Sequence, residues 1–348
     1  MHAIVDLRSD TTTKPTPGMR YAMAEAEVGD DVYDDDPTIH LLQQRAAEIM
    51  GKEAALLMPS GTMSNAVAIK VHTKPGDEIL LDQYAHSMIY EVGMPATIAQ
   101  VMTRQFRSEN GIPDVGEIAD TIHAQSLHSP GTSLLVLENT HNRAGGAIIP
   151  LEVHQTLWSL AKERGVALHL DGARLFNTVV ATGVSAAEFA ACADSLTFCL
   201  SKGLGCPVGS VLCGSKEFIA KARRVRKMLG GGMRQAGILA AAGVYALNHH
   251  ISRLSEDHNL AKRLAAGLLD CSGIELDKAE PPTNMVYFNT KAPAKHFIQA
   301  LKGRGILCGQ TGERRVRMVT HLDIDAEDID LTINEVHETG KHSFWVSE

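Results

Sequence analysis

The sequence predicts an α/β fold in which a mostly parallel sheet carries helices on both faces, with a smaller α/β domain toward the C-terminus. Short apolar runs alternate with longer segments of helical periodicity, which is the pattern of strand–helix–strand units. The 348-residue chain is 44% hydrophobic and 21% charged. That balance is typical of a globular protein with a large core, and it excludes a disordered chain or a small disulfide scaffold.

The predicted elements follow from the position of the apolar runs. Helical periodicity covers residues 151–164, and an alanine-rich stretch at 236–269 predicts one or two long helices. After this stretch, strands at 283–288 and 315–319 accompany helices at 294–302 and 326–338. The change in pattern predicts a large domain over residues 1–248 and a small one over 249–348. The strands of the larger sheet are predicted at 54–58, 78–81, 133–137, 166–170, 195–200 and 210–212.

Charge and hydropathy limit the possible partners. The 41 acidic residues outnumber the 33 basic ones and give a net charge of −8, which argues against nucleic acid as a partner. The longest apolar run, at 237–247, is shorter than the roughly 20 residues of a membrane helix. Asp6 and Arg8 stand where a signal peptide would be apolar. We therefore expect a cytoplasmic protein with no membrane partner.

The six cysteines are expected to be buried free thiols. Four of them recur every seven residues, at 192, 199, 206 and 213, whereas zinc ligands are paired two to four residues apart. No histidine completes such a pair, so we expect no metal site.

Three predicted strand ends carry residues suited to chemistry. Lys202 follows the strand at 195–200 among small residues, and Asp171 ends the strand at 166–170. Ser60, Gly61 and Thr62 form a small-residue turn that opens a helix, which is a typical anion cradle of backbone N–H groups. The carboxyl ends of parallel strands are where such folds bind ligands. We therefore expect these three features to lie around one site.

Pyridoxal phosphate fits the three features together. It needs an amine for a Schiff base, an acid beside its ring nitrogen and an anion site for its phosphate. Lys202, Asp171 and the Ser60–Gly61–Thr62 turn would supply them. Transamination or β-elimination on the same cofactor is an alternative, and so is a protein that only stores or senses the cofactor. A nicotinamide enzyme is disfavoured, because no Gly-x-Gly-x-x-Gly follows an early strand.

The chain resembles the low-specificity L-threonine aldolases, fold-type-I pyridoxal-phosphate enzymes of the β-eliminating lyase/threonine aldolase family. The similarity runs in the family's order through almost the whole chain and, taken as a set, is highly specific. The matching segments are 6–11, 28–33 with Asp36-Pro37, 59–62, 137–142, 170–174, 200–205, 230–235 and 319–323.

This resemblance implies roles for individual residues. Lys202 matches the Schiff-base lysine, Asp171 the partner of the ring nitrogen, and His86 the histidine stacked on the ring. His128 falls where the family has a second active-site histidine, although His123 has similar surroundings. The substrate carboxylate is assigned to Ser9, Arg174 and Arg317, with Tyr33 near the active site of a partner. Cofactor contacts are also implied for Ser201, Arg174, Lys227 and Arg234, the last two reaching the phosphate of a neighbouring subunit.

The implied activity is cleavage of L-threonine, L-allo-threonine and other L-β-hydroxy-α-amino acids to glycine and an aldehyde. The implied assembly is a homo-oligomer, a tetramer built from two dimers with shared active sites. The base that takes the β-hydroxyl proton stays open between His86, His128 and a water molecule held by them. The preferred diastereomer and a structural cation also stay open at this point.

Overall fold

The computed structural model describes residues 4–341. The strands are β1 Val5–Asp6, β2 Ala54–Met58, β3 Glu78–Asp82, β4 Met102–Phe106, β5 Ser108–Glu109, β6 Ile112–Pro113, β7 Thr132–Glu138, β8 Ala167–Asp171, β9 Ser195–Cys199, β10 Ser210–Gly214, β11 Ile274–Leu276, β12 Met285–Thr290, β13 Ile306–Leu307, β14 Gly309–Gln310 and β15 Arg315–Val319. The helices are α1 Pro17–Ala24, α2 Pro37–Met50, α3 Gly61–His72, α4 His86–Ile89, α5 Val115–Thr121, α6 Leu151–Glu163, α7 Leu175–Thr182, α8 Ala186–Ala191, α9 Lys216–Met228, α10 Gly237–His249, α11 Leu254–Leu268, α12 Ala294–Gly303 and α13 Ala326–Lys341.

A seven-stranded sheet with the order β2-β10-β9-β8-β7-β3-β4 forms the centre of the molecule. Its neighbours are parallel from β9 through β4, whereas β10 is antiparallel to both β9 and β2. The short connection at 200–209 explains the exception, because parallel neighbours need a crossover of a dozen or more residues. The predicted α/β fold with a mostly parallel sheet is confirmed.

The N-terminal strand belongs to a second apolar cluster that the C-terminal part of the chain builds. Val5 pairs in register with Ile306, and Val5 and Leu7 pack with buried residues such as Phe288 and Phe297. A four-stranded antiparallel sheet, β11-β12-β15-β14, backs this cluster. The residues directly after β1 are thereby held between the large sheet and the C-terminal elements. The division at residue 248 stays a prediction.

Local signals explain where helices begin. Asp36 caps α2 by accepting hydrogen bonds from the N–H groups of Thr38 and Ile39, with Pro37 in the first turn. The same carboxylate accepts a bond of 2.9 Å from the N–H of Gly237 at the start of α10. The alanine-rich stretch forms two helices, α10 and α11, as the sequence allowed.

The structure also differs from the expectations in places. Edge strand β4 was not predicted, because most of its residues are exposed and polar and leave no apolar run. The strand expected at 283–288 lies at Met285–Thr290. All six cysteines are buried and free, as expected. Within residues 4–341, no helix has the length and apolar character needed to cross a membrane.

Candidate active site

A cavity of about 240 Å³ lies where the large sheet meets the C-terminal elements. Five of the predicted site residues line it together, although they are spread from the first strand to the last: Ser9, His86, Arg174, Lys202 and Arg317. Five further lining residues were not predicted: Thr11, Tyr90, Asn142, Gln310 and Thr311. The fold thus gathers an amine, an imidazole and two guanidinium groups in one small space.

Parallel strands β8 and β9 place Asp171 and Lys202 at the same edge of the sheet. Asp171 pairs in register with Thr197, and Lys202 follows the end of β9. The hydroxyl of Thr13 donates to the carbonyl oxygen of Lys202 over 3.1 Å. Asp171 is buried and accepts two neutral donors, Nδ2 of Asn65 at 2.8 Å and the N–H of Ala173 at 3.0 Å. Among the described residues no cation forms an ion pair with this carboxylate within 4.0 Å.

His86 is held in a fixed orientation at the start of α4. Its backbone N–H donates to Oε2 of Glu138 over 2.6 Å, and its Nδ1 lies 2.7 Å from Oε1 of the buried Glu91. Burial acts to lower the pKa of His86, but the hydrogen bond with Glu91 and the charge of Asp171 together raise it above its usual value. Burial also raises the pKa of Glu91. Nε2 is therefore the His86 atom left to meet a ligand.

Arg174 reaches the cavity with one edge of its guanidinium already paired. Nε and Nη2 donate to the two carboxylate oxygens of Asp10 over 2.7 and 2.6 Å, and both side chains are buried. Burial opposes the charge on Asp10, but Arg174, Lys202 and Arg317 hold the pKa of this carboxyl well below its usual value. Only the edge formed by Nη1 and Nη2 stays available for a ligand carboxylate.

Arg317 enters the cavity from β15. Its Nη1 donates to Oδ1 of Asn142 over 3.0 Å and its Nη2 to the carbonyl of Arg8 over 3.1 Å. Its buried Nε has no hydrogen-bond partner in the described part of the chain. Both neighbours are neutral, so the positive charge of Arg317 is uncompensated by these contacts and favours an anionic ligand.

The expected phosphate turn forms the start of α3. Ser60 caps the helix by accepting a hydrogen bond from the N–H of Met63, and the first N–H groups of a helix have no partner within it. A Cβ on Gly61 would lie 2.8 Å from Sγ of Cys199. Glycine is therefore needed for this turn to approach the end of β9 so closely, near Lys202.

The remaining predicted residues do not line this cavity. His128 is exposed on the loop before β7, and His123, half-buried nearby, has its Nε2 2.7 Å from the hydroxyl of Ser129. Ser201 donates to the carbonyl of Gly209 over 3.4 Å. Three more are exposed and lie outside the lining of this cavity: Tyr33, Lys227 and Arg234, the last of which pairs with Asp30 at 2.9 Å. Lys227 contributes to a separate cavity of about 500 Å³.

Four residues with clear contacts to the site were not assigned a role from the sequence. Asp10 and Asn142 lie within segments that carried the family resemblance, so that resemblance could have pointed to them. Glu91 and Asn65 gave no signal, because a single buried polar residue on a helix or loop has no recognisable spacing. His86, Glu91 and Asp171 have potential ligand atoms within 4.8 Å of one another. Within this cluster the contacts are to protein groups: Asn65 donates to both carboxylates, and Glu91 lies against Nδ1 of His86.

Comparison with known proteins identifies the family of this chain. The sequence family described as beta-eliminating lyases matches residues 6–291. The low specificity L-threonine aldolase of Escherichia coli is 43% identical, and the match covers 94% of this chain and 96% of that protein. The low-specificity L-threonine aldolase 1 of Arabidopsis thaliana is 44% identical over 95% of this chain and 94% of its own length.

Solved structures give the same fold class. The threonine aldolase of Leishmania major superimposes with a TM-score of 0.79 at 20% identity, covering 97% of this chain and 98% of that one. A serine palmitoyltransferase of Sphingomonas wittichii gives 0.75 at 18% identity, covering 97% and 87%. Fold and site therefore define the large-sheet class of pyridoxal-phosphate enzymes known as fold type I. Within this class, the chain belongs to the beta-eliminating lyase family.

Proposed function

We propose that this protein is a pyridoxal-phosphate-dependent aldolase that cleaves L-threonine and L-allo-threonine, along with other L-β-hydroxy-α-amino acids, to glycine and an aldehyde. The observation that carries the proposal is the single cavity that gathers Lys202, His86, Arg174 and Arg317 beside the buried Asp171. The names of relatives 43–44% identical over nearly the whole chain support the same reaction.

The residues present fit the cofactor. Lys202 would hold its aldehyde carbon, Asp171 its ring nitrogen and His86 one face of its ring. The ring nitrogen, when protonated, gives Asp171 the cationic partner that it lacks among the described residues. The start of α3, at Ser60, Gly61 and Thr62, would take the phosphate. When bound, pyridoxal phosphate withdraws electrons from the substrate's Cα and so weakens the bonds to that carbon.

The two arginines would orient the substrate. Arg174 offers its Nη1–Nη2 edge because Asp10 occupies the other edge, and Arg317 adds a second charge. Ser9 adds a hydroxyl that caps the short helical turn at Asp10–Thr12. A carboxylate fixed at these groups leaves the amine near Lys202 and the β-carbon near His86. We call Ser9, Arg174 and Arg317 the carboxylate clamp. The clamp thus selects the configuration at Cα, whereas fewer groups face Cβ.

His86 is our candidate for the group that takes the β-hydroxyl proton, directly or through a water molecule. It lies in the cavity, and Glu91 binds Nδ1, so Nε2 can accept the proton. A histidine with a pKa above its usual value of about 6.5 still exchanges protons near neutral pH. His128 keeps this role only if a neighbouring subunit or a loop movement brings it to the site.

We also propose a tetramer of two dimers with shared active sites. Lys227, Arg234 and Tyr33 are exposed and do not line this chain's own cavity, which supports a role toward a neighbour's phosphate and substrate. Replacing Arg234 by alanine should weaken cofactor retention and leave the fold intact. A wild-type protein that is monomeric by light scattering yet fully active would contradict shared sites.

Aldehyde release from defined substrates tests the reaction itself. Cofactor-loaded protein should form acetaldehyde and glycine in equal amounts from L-threonine and L-allo-threonine, and much more slowly from D-threonine. An aminotransferase would instead need an oxo acid and accumulate the amine form of the cofactor. Comparable turnover of D-threonine would contradict the carboxylate clamp. Because glycine is a product, we place the reaction among those that supply glycine. A cytoplasmic location stays a prediction.

A further inference from the structure

A buried amide links the two carboxylates of the site. Asn65, on α3, is buried, and its Nδ2 donates to Oδ2 of Asp171 over 2.8 Å and to Oε1 of Glu91 over 2.9 Å. Asp171 faces the predicted cofactor position, and Glu91 holds His86. The orientation of one amide therefore affects both groups.

The oxygen of this amide continues into a hydrogen-bonded chain through the molecule. Oδ1 of Asn65 lies 3.3 Å from Nε2 of His169, and Nδ1 of His169 lies 2.8 Å from Oγ of Ser195. The same Oγ lies 2.7 Å from Nε2 of His72, whose ring stacks on Phe218 at 4.6 Å. His169 stands two residues before Asp171 on β8, so both side chains project to the same face of the sheet.

The carboxylate of Asp171 determines which group donates and which accepts in each of these hydrogen bonds. An ionised Asp171 can only accept, so Asn65 must direct its NH₂ group toward it and its oxygen toward His169. Nε2 of His169 must then donate. Burial lowers the pKa of His169 to about 3, so the ring is neutral and its Nδ1 accepts from the Ser195 hydroxyl. Nε2 of His72 in turn donates to Oγ of Ser195.

We propose that His169 is a positioning residue, whose Nε2–H locks the amide of Asn65 and thereby fixes Asp171 and Glu91 toward the cofactor. The inference rests on the proposed function, since it concerns how tightly pyridoxal phosphate is held. It is distinct from proton transfer, because an amide between His169 and the carboxylates does not relay protons. His169 touches neither substrate nor cofactor in this role.

Two substitutions of His169 separate orientation from packing. The holoenzyme of His169→Leu keeps an apolar side chain in the core but cannot donate, whereas the amide of His169→Gln can donate to Asn65. We expect His169→Leu to raise the dissociation constant for pyridoxal phosphate about tenfold. This is roughly the factor that corresponds to the loss of one buried hydrogen bond. His169→Gln should stay within about threefold of wild type. Thermal unfolding, measured in parallel, shows whether either substitution destabilises the fold.

A serine pair provides the control in case His169→Leu fails to fold. Ser195→Ala removes the donor to Nδ1 of His169. Ser64→Ala removes an equally buried hydroxyl, which donates to Ser210 and takes no part in the series of hydrogen bonds from Asp171 to His72. Ser195→Ala should weaken cofactor retention and Ser64→Ala should not. Equal retention in these two variants, or in His169→Leu and wild type, would overturn the inference while leaving the proposed function intact. Wild-type protein that binds no pyridoxal phosphate would overturn both.

Discussion

Replacing Glu91 by glutamine should move the acidic limb of the pH–activity profile. The Glu91 carboxylate accepts a hydrogen bond from Nδ1 of His86 over 2.7 Å. This bond, with the charge of Asp171, outweighs burial and raises the pKa of His86. Activity that needs neutral His86 should therefore rise with pH through a midpoint above 6.5 in the wild type. Without the Glu91 charge, burial dominates and the midpoint should fall.

The expected shift is about one pH unit. A hydrogen bond to a charged group exceeds one between neutral groups by roughly 1 kcal/mol, and one pKa unit corresponds to about 1.4 kcal/mol. The assay is kcat/KM for L-threonine between pH 5 and 9. Glu78→Gln serves as the matched control, because Glu78 is also buried but pairs with Arg104 outside the site. An unchanged midpoint in Glu91→Gln would refute His86 as the titrating group.

Two other perturbations test the clamp and the core. Arg317→Ala should lower kcat/KM for every substrate, because loss of one arm of a charged clamp costs about 2–5 kcal/mol; an effect confined to one diastereomer, measured by steady-state kinetics, would argue against a carboxylate role. Burial lowers the pKa of His154 and His258 to about 4 and that of His169 to about 3. These rings stay neutral in the folded state, so the unfolding free energy should fall as pH decreases from about 6.5 toward 4, by roughly 1 kcal/mol per pH unit for each ring. Urea unfolding at several pH values measures this slope, and a flat profile would contradict it.

The sequence could predict the site's centre because strand ends are easy to locate. Lys202 and Asp171 follow clear apolar runs, and parallel strands bring such ends to one edge of a sheet. Family resemblance added His86, Arg174 and Arg317, which lie far apart along the chain but line the same cavity. The structure adds the contacts that restrict how these side chains can meet a ligand. Arg174, for example, has one edge already taken by Asp10, which no spacing could indicate.

The partners of buried polar residues could not be predicted from the sequence, for a physical reason. Arg226 lies within the basic run at 221–227, and such a run is typical of a solvated helix face. Instead it is buried and pairs with Asp31, 195 positions away, at 2.5 Å. Asn65 and Glu91 are similar, since their contacts come from other elements. Helical periodicity reports average burial, not the identity of a distant partner.

Borohydride trapping of the cofactor tests the central claim most directly. The purified holoenzyme would be reduced, digested and sequenced by mass spectrometry to find the lysine that carries the pyridoxyl group. We predict a single modified peptide with the label on Lys202, and in Lys202→Ala the loss of both the label and the visible absorbance of lysine-bound cofactor. A label on another lysine, or a Lys202→Ala protein that retains a reducible covalent cofactor and threonine cleavage, would contradict the account.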